Sequence, residues 1–251
     1  CGIVVIVSAC VNLFYATRQD QTEARRKIDQ AYQRIAAHKL GAYLRSRRDV
    51  SSVLVLVAPG EKDQAALRKR IKGLRQGLAD AAEIVDIVTP VVSKEKIQRL
   101  KEKYSDPRRG TSGEKAGKTT AEGLSKAEIT LSDIPPNRWY TTKSLVQAVT
   151  PYAEKVDVIV SCLGLPGEMD DIPALANSDL PPFALLEGNL HNRERSIRKG
   201  RIIAAVRNAP DQSLGKPKMP SDDSEKAFSR RYILVTTENV EKIAREHSVF
   251  R

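Results

Sequence analysis

The sequence predicts an α/β protein of three layers, in which helices cover both faces of a mostly parallel sheet. Several short runs are apolar at every position rather than at alternate positions, which is typical of strands buried on both faces. Amphipathic segments with the period of a helix separate these runs. Chains in which such strands and helices alternate fold into a parallel sheet with helices packed on each side.

Six apolar runs are the predicted strands. They occupy residues 52–60, 82–90, 156–164, 183–189, 201–210 and the beginning of 231–248. The predicted helices lie at residues 62–79, 93–104, 141–155 and 190–200, with a last one completing 231–248. In the first of these helices Ile71, Leu74 and Leu78 share one face, as expected where a helix covers a sheet.

The first seventeen residues, CGIVVIVSACVNLFYAT, carry no charged side chain and predict a membrane anchor. A helix of this length spans roughly 25 Å, close to the bilayer hydrocarbon thickness of about 30 Å. Lipidation is an alternative, because the stretch VSAC resembles the cleavage motif of bacterial lipoproteins, with Cys10 as the lipid acceptor. Cys1, followed by Gly2, is a second candidate for lipidation. A buried segment of a soluble core is the remaining interpretation.

Residues 18–50 are predicted to form a helical stalk, because apolar side chains recur there at helical spacing opposite a basic face. The remainder, 51–251, is the predicted α/β domain, with polar surface insertions at 105–127 and 209–225. Basic residues after the anchor favour a cytoplasmic domain, whereas the lipoprotein-like motif favours export. We expect a membrane-anchored protein whose domain is periplasmic or otherwise extracytoplasmic.

The composition bounds the partners of the chain. A net charge of +11 over 251 residues permits contact with nucleic acid or with an anionic membrane surface. Only 5% of the residues are aromatic, and no basic stretch contains the aromatic side chains that stack on bases. The three cysteines form no CxxC pair, and the three histidines are far apart. We therefore predict neither a nucleic-acid partner nor a metal site.

The stretch RRGTSGEKAGKTT, residues 108–120, comes close to a phosphate-binding loop. That motif needs a glycine separated by four residues from Gly-Lys-Ser/Thr, and Ser112 stands at the position of that glycine. The loop must also follow a buried strand and begin a helix, whereas a polar segment precedes it here. Nucleotide hydrolysis is therefore not predicted.

Other catalytic arrangements are incomplete in the same way. Ser161 and Cys162 stand near a strand end, but the surrounding residues are not the GxSxG of a nucleophile elbow. Cys162 could pair with His191 as thiolate and base, although a small buried cysteine is the simpler interpretation. The acidic stretch GEMDD, residues 167–171, is either a cation or polyol site or a solvated loop. We predict neither enzymatic activity nor a cofactor.

Polar residues that follow the predicted strands form the best candidate site. Ligands of open parallel sheets bind beyond the carboxyl ends of the strands, where these residues should gather. The candidate ligand-binding residues are Gly60, Glu61, Gly164, Glu187, Asn189, Arg207 and Asn208.

Five stretches follow one another along the chain in the order SVLVLVAPG, AEIVDIVTP, VDVIVSCLGLPG, PPFALLEGN and GRIIAAVRN. This order of elements resembles that of the sugar-type periplasmic binding proteins and the related effector domains of repressors. The resemblance implies a Rossmann-like fold with solute held at strand ends between two lobes. Residues 52–210 provide strands for one lobe. Trp139 and Tyr140 are the aromatic side chains available either for stacking on a sugar or for packing in the core.

Two functions follow from these expectations. The main one is a non-catalytic accessory or scaffold subunit of a membrane or envelope complex, which contacts other protein subunits through its domain surface and the membrane through residues 1–17. The alternative is a solute-binding or sensing module that holds a small, sugar-like ligand in the cleft at the strand ends. A polar concave cleft favours the alternative, and an apolar surface patch favours the scaffold.

Overall fold

The structure is a computed structural model of the chain. It describes residues 2–59, 65–105, 134–167, 179–186, 188–209, 218–221, 224–247 and 250, and of residues 2–22 and 105 it describes the backbone only. Outside the described residues lie most of each predicted insertion and the whole of the phosphate-loop-like stretch. The same holds for the acidic stretch GEMDD, apart from Gly167.

Six strands form one sheet. In chain order they are β1 (Ser52–Leu56), β2 (Glu83–Val88), β3 (Val158–Ser161), β4 (Phe183–Leu185), β5 (Ile202–Asn208) and β6 (Tyr232–Thr236). Their order across the sheet is β2-β1-β3-β4-β5-β6, and the first five are parallel. The last strand, β6, runs antiparallel to β5 at the edge. The predicted α/β fold with a mostly parallel sheet is confirmed.

Seven α-helices accompany these strands in the described part of the chain. They are α1 (Gly2–Ser46), α2 (Ala65–Leu78), α3 (Lys94–Ser105), α4 (Thr142–Val149), α5 (Glu194–Arg198), α6 (Ser224–Ser229) and α7 (Val240–Glu246). Helix α4 begins with a capping box, in which Thr141 accepts a hydrogen bond from the Ser144 backbone and the Ser144 side chain accepts one from Thr141. At Pro151 the helix gives way to a short 3₁₀ turn, because proline lacks the amide hydrogen that an α-helix requires.

Each face of the sheet has its own hydrophobic core. Strand β1 contributes to both, since Leu54 and Leu56 point to one face and Val53 and Val55 to the other, and all four are fully buried. Side chains from α3, α4, α5 and α7 cover the first face, and side chains from α1, α2 and α6 cover the second. Burial on both faces explains why the strands read as unbroken apolar runs.

Helices α1 and α2 pack in unusually close contact through glycines. A side-chain carbon on Gly73 would lie 2.2 Å from the carbonyl oxygen of Arg34, and one on Gly77 would lie 2.2 Å from that of His38. Gly41 makes the reciprocal contact with the Leu74 carbonyl, at 2.6 Å. The pairing of 34 with 73 and 38 with 77 shows that the two helices run in the same direction.

The second half of α1 is part of the core. Ala36, Leu40 and Leu44 are buried against the sheet and α2. Of the stripe predicted at Ile28, Ala31, Tyr32, Ile35 and Leu44, Tyr32 and Leu44 are buried and the other three are half-buried. Among the residues whose side chains are described, no helix is long and apolar enough to cross a membrane. The side chains of the predicted anchor, with Cys1 and Cys10, lie outside the described set. The division of the chain into anchor, stalk and domain stays a prediction.

Asp157 joins the amino-terminal ends of two central strands, β1 and β3. One of its carboxylate oxygens accepts four hydrogen bonds of 2.8–2.9 Å, from the backbone amides and hydroxyls of Ser51 and Ser52. Burial raises the pKa of this carboxyl, but the hydrogen bonds together lower it by more, so its pKa lies below the ordinary value. The charged form is therefore favoured in the folded chain.

We expect Asp157→Asn to lower the free energy of unfolding by about 1–2 kcal/mol at pH 7, because the hydrogen bonds lose a charged acceptor that is partly in solvent. A depressed folded pKa contributes stability that is present above about pH 4 and lost as the pH falls through the folded value. The difference between the two proteins should therefore shrink towards pH 3 in urea unfolding. Replacement of the exposed Asp179 by Asn is the control. A difference that stays constant with pH would contradict this account.

Candidate functional site at the carboxyl edge of the sheet

The parallel strands β1, β3, β4 and β5 all end at one edge of the sheet, which we call the carboxyl edge. In open α/β sheets this edge holds the ligand, because the loops that leave the strands diverge there and form a crevice. After β3 the structure describes residues 162–167 and 179–182, after β5 residues 209 and 218–221, and after β4 the loop except for Glu187. After β1 it describes the chain only as far as Pro59.

The loops after β3 and β4 touch each other. Gly188 has a φ of +131°, and a side-chain carbon there would lie 2.6 Å from the Cα atom of Gly164. Only glycine accepts both the backbone angle and the contact. The Ser161 hydroxyl holds the first loop by donating to the Gly164 carbonyl, at 2.6 Å, and accepting from the Leu163 amide, at 3.2 Å.

A buried polar group lies beside these loops, on the face that α4 and α5 cover. Arg193 is 3% exposed and donates a hydrogen bond of 2.8 Å to the Pro166 carbonyl. The Tyr140 hydroxyl is buried and has no hydrogen bond of ordinary geometry in the described structure. Burial raises the pKa of Tyr140, while the nearby Ser161 hydroxyl and the Arg193 charge lower it to a lesser extent. The phenol is therefore neutral. Arg193 holds the loop after β3 through its hydrogen bond to the Pro166 carbonyl.

The opposite side of the carboxyl edge is open and forms a cavity, which we call the strand-end cleft. Its volume is about 540 Å³, within the range of roughly 300–1,000 Å³ that is usual for small-molecule sites. Leu186 and Val206 supply apolar surface at the ends of β4 and β5. Its principal polar lining residues are Gln33, Arg207, Asn208, Arg231 and Tyr232.

Arg231 has the most defined geometry in the strand-end cleft. Its Nη2 atom donates to Asp29 of α1 at 2.8 Å. The guanidinium carbon lies 4.9 Å from the centre of the Tyr32 ring and 5.8 Å from that of Tyr232. Stacking on aromatic faces stabilises a guanidinium and fixes its plane. The Nε atom is buried, and no described group accepts a hydrogen bond from it.

The predicted site residues are distributed over both sides of the edge. Arg207 and Asn208 line the strand-end cleft. Gly164 lies in the braced loop after β3, and Asn189 uses its side-chain oxygen to accept a hydrogen bond from the His191 backbone. Gly60, Glu61 and Glu187 lie outside the described residues. The binding role of all seven stays a prediction.

Three lining residues with polar side chains were missed by the sequence interpretation: Gln33, Arg231 and Tyr232. Tyr232 pairs with Asn208 because β6 is antiparallel to β5, which places the beginning of β6 at the carboxyl edge. An apolar run does not show whether its strand is parallel or antiparallel, so the sequence offered no indication that Tyr232 lies at the carboxyl edge. Nothing in the sequence around Gln33 distinguishes it from other polar residues of a predicted stalk.

Two other interpretations can be placed. Trp139 is 1% exposed and Tyr140 is 4% exposed, so both pack in the core and neither is available to stack on a sugar. Cys162 is buried on the face covered by α1 and α2, whereas His191 is exposed in the loop that leads to α5. The described structure does not bring this cysteine and histidine together as a catalytic pair.

No protein-family model matches the chain, and no curated protein matches it. Solved structures do match. A protein from Mycobacterium smegmatis has 13% identity and a TM-score of 0.45, covering 84% of this chain and 59% of its own. A galactofuranose binding protein has 12% identity and a TM-score of 0.43, covering 85% and 62%.

A glucose-galactose binding protein from Geobacillus stearothermophilus has 11% identity and a TM-score of 0.36, covering 89% of this chain and 57% of its own. The chain thus spans about three fifths of the length of the structures it matches. This resemblance to sugar-type binding proteins is one of fold alone, at low identity.

The comparison corrects the main functional expectation. The main expectation was an accessory or scaffold subunit. Those of the similar structures that are named for a ligand are instead sugar-binding proteins. These named neighbours are binding proteins rather than enzymes.

Proposed function

We propose that the chain is a solute-binding module that holds a small, polar, sugar-like ligand in the strand-end cleft. The observation that carries this proposal is the cleft itself, a cavity of about 540 Å³ at the carboxyl edge in which polar side chains from α1, β5 and the beginning of β6 converge. Small-molecule sites combine apolar surface with a few placed polar groups in this way.

The lining suits a ligand rich in hydroxyl groups. Asn208 and Gln33 each offer an amide that both donates and accepts hydrogen bonds, and Arg207 offers several donors. Tyr232 adds an aromatic surface of the kind on which the apolar face of a sugar ring can rest.

Helix α1 takes a particular place in this proposal. In the described structure the sheet belongs to one lobe, and Gln33 of α1 supplies a wall of the cleft above the ends of the strands. The apolar residues 1–17 continue from the same helix and would tether the module to a membrane. We place the domain on the extracytoplasmic side, where solutes are captured.

The test is calorimetric titration of the full chain with D-galactose, D-glucose and their acidic derivatives. Asn208 is exposed, so Asn208→Ala should leave the fold intact and weaken binding by about tenfold, the effect of one lost hydrogen bond. Asn137→Ala changes an exposed asparagine in the Pro136–Arg138 turn and should bind as the unchanged protein does. Equal affinities for the two variants, or heat from none of the ligands, would refute the strand-end cleft as the binding site.

A further inference from the structure

Positive charge predominates among the described lining residues of the strand-end cleft. Arg207 and Arg231 both line it, and none of its described lining residues carries a carboxylate. Both arginines are partly buried, so water screens their charges less than it would on an open surface. A guanidinium presents its donors in a planar fork that matches the oxygens of a carboxylate or phosphate.

Arg231 is held in position to bind such a group. Its ion pair with Asp29 uses Nη2, and its contacts with Tyr32 and Tyr232 fix the plane of the guanidinium. Nε has no acceptor among the described residues, but it is buried below the surface of the cleft, so the guanidinium must turn before a ligand can pair with this atom. An oxyanion makes a stronger hydrogen bond with a cationic donor than a neutral hydroxyl does.

Asp29 is the counterion of Arg231 in the structure, and its carboxylate is more exposed to solvent than the guanidinium is. Its side chain is 39% exposed, whereas that of Arg231 is 22% exposed. A ligand oxyanion in the cleft would share the guanidinium with this carboxylate and would be repelled by it. Removing the negative charge of Asp29 should therefore strengthen the binding of an acid. The affinity for a neutral ligand should not increase.

From these contacts we infer that the ligand of the strand-end cleft carries a carboxylate or a phosphate, and that the cleft selects small acids over neutral sugars. The inference rests on the proposed function, whose ligand class it narrows. Arg231 supplies the oriented donors, Arg207 adds positive charge, and the amides of Gln33 and Asn208 hold hydroxyl groups of the same ligand.

The experiment titrates the full chain with D-galactose, D-galacturonate, D-galactose 1-phosphate and inorganic phosphate. We expect one of the two sugar acids to bind at least tenfold more tightly than galactose, and its affinity to fall with added salt. The two acids distinguish a carboxylate ligand from a phosphate ligand. Arg231→Gln should abolish the preference for the acid, and Arg230→Gln, which changes the exposed neighbouring arginine, should preserve it.

Two further variants separate binding from folding. Arg231→Lys keeps the charge and loses the planar fork, so the preference should fall but persist. Asp29→Asn should increase the affinity for the acid severalfold, the opposite of what simple damage to the fold would cause. Thermal unfolding of each variant shows whether the fold is retained.

The remaining outcomes overturn the inference. If galactose binds as tightly as its acids, the module exists but does not select anions, and the proposed function survives alone. Inorganic phosphate that binds equally to the unchanged protein and to Arg231→Gln would be an adventitious ion only. If none of the four compounds binds, both the inference and the proposed sugar-like ligand fail.

Discussion

Replacement of Gly77 by alanine is expected to destabilise the protein by on the order of 2–3 kcal/mol, the cost of overpacking a close contact. The new methyl group would lie 2.2 Å from the His38 carbonyl oxygen and 2.7 Å from the Ala42 amide nitrogen. Both atoms belong to the backbone of α1, so the contact is relieved only if the two helices move apart. The sign is informative, because alanine ordinarily stabilises a helix by up to about 1 kcal/mol relative to glycine.

The matched control is Gly167→Ala, where a side-chain carbon would meet no described atom within 4 Å. Urea unfolding should give Gly167→Ala a free energy of unfolding equal to or slightly above that of the unchanged protein. Because α1 also forms one wall of the strand-end cleft through Gln33, Gly77→Ala should weaken ligand binding as well. A stable Gly77→Ala variant would mean that α1 does not pack on α2 as described.

Truncation of Trp139 to alanine is expected to cost about 3–5 kcal/mol, the usual range for deleting a large aromatic side chain from a core. Trp139 is 1% exposed, and its indole nitrogen donates a hydrogen bond of 3.0 Å to the Ile134 carbonyl. The variant therefore loses apolar contacts and leaves a buried carbonyl without its donor. The fraction that remains folded should bind ligand with unchanged affinity, since the indole is far inside the α4-covered core.

Tyr140→Phe is the companion variant, and it should be neutral or slightly stabilising. It removes a buried hydroxyl that has no hydrogen bond of ordinary geometry, so no favourable interaction is lost. The two variants distinguish packing from sugar stacking, the two roles that the sequence allowed for this pair. Normal unfolding of Trp139→Ala combined with loss of ligand binding would show that the indole belongs to a binding surface.

The prediction of the strands succeeded because burial on both faces leaves a strong signal. The runs 52–60 and 156–164 contain β1 and β3 near the centre of the sheet, where all side chains except Ser52 and Ser161 are apolar. The strands themselves are shorter than the runs, since residues such as Ala58 and Cys162 are buried beyond the last paired position. Buried loop residues and strand residues have the same composition.

The candidate site was predicted only in part. Arg207 and Asn208 were found because a parallel strand sends the residues after it to the carboxyl edge, a rule that needs no coordinates. Gln33 and Arg231 could not be found in this way. Gln33 comes from a helix that precedes the first strand. Arg231 precedes a strand whose antiparallel direction cannot be recognised from its apolar residues.

By itself the sequence determined the class of fold and indicated the edge at which we propose the ligand site, because both follow from local apolar patterns and from the direction of parallel strands. The tertiary structure alone decided which side of that edge is open. It placed α1 beside α2 through glycine contacts that a linear pattern does not reveal, and it brought Asp29, Tyr32 and Arg231 together from positions about 200 residues apart. Such contacts depend on the packing of whole elements, so no short stretch of sequence contains them.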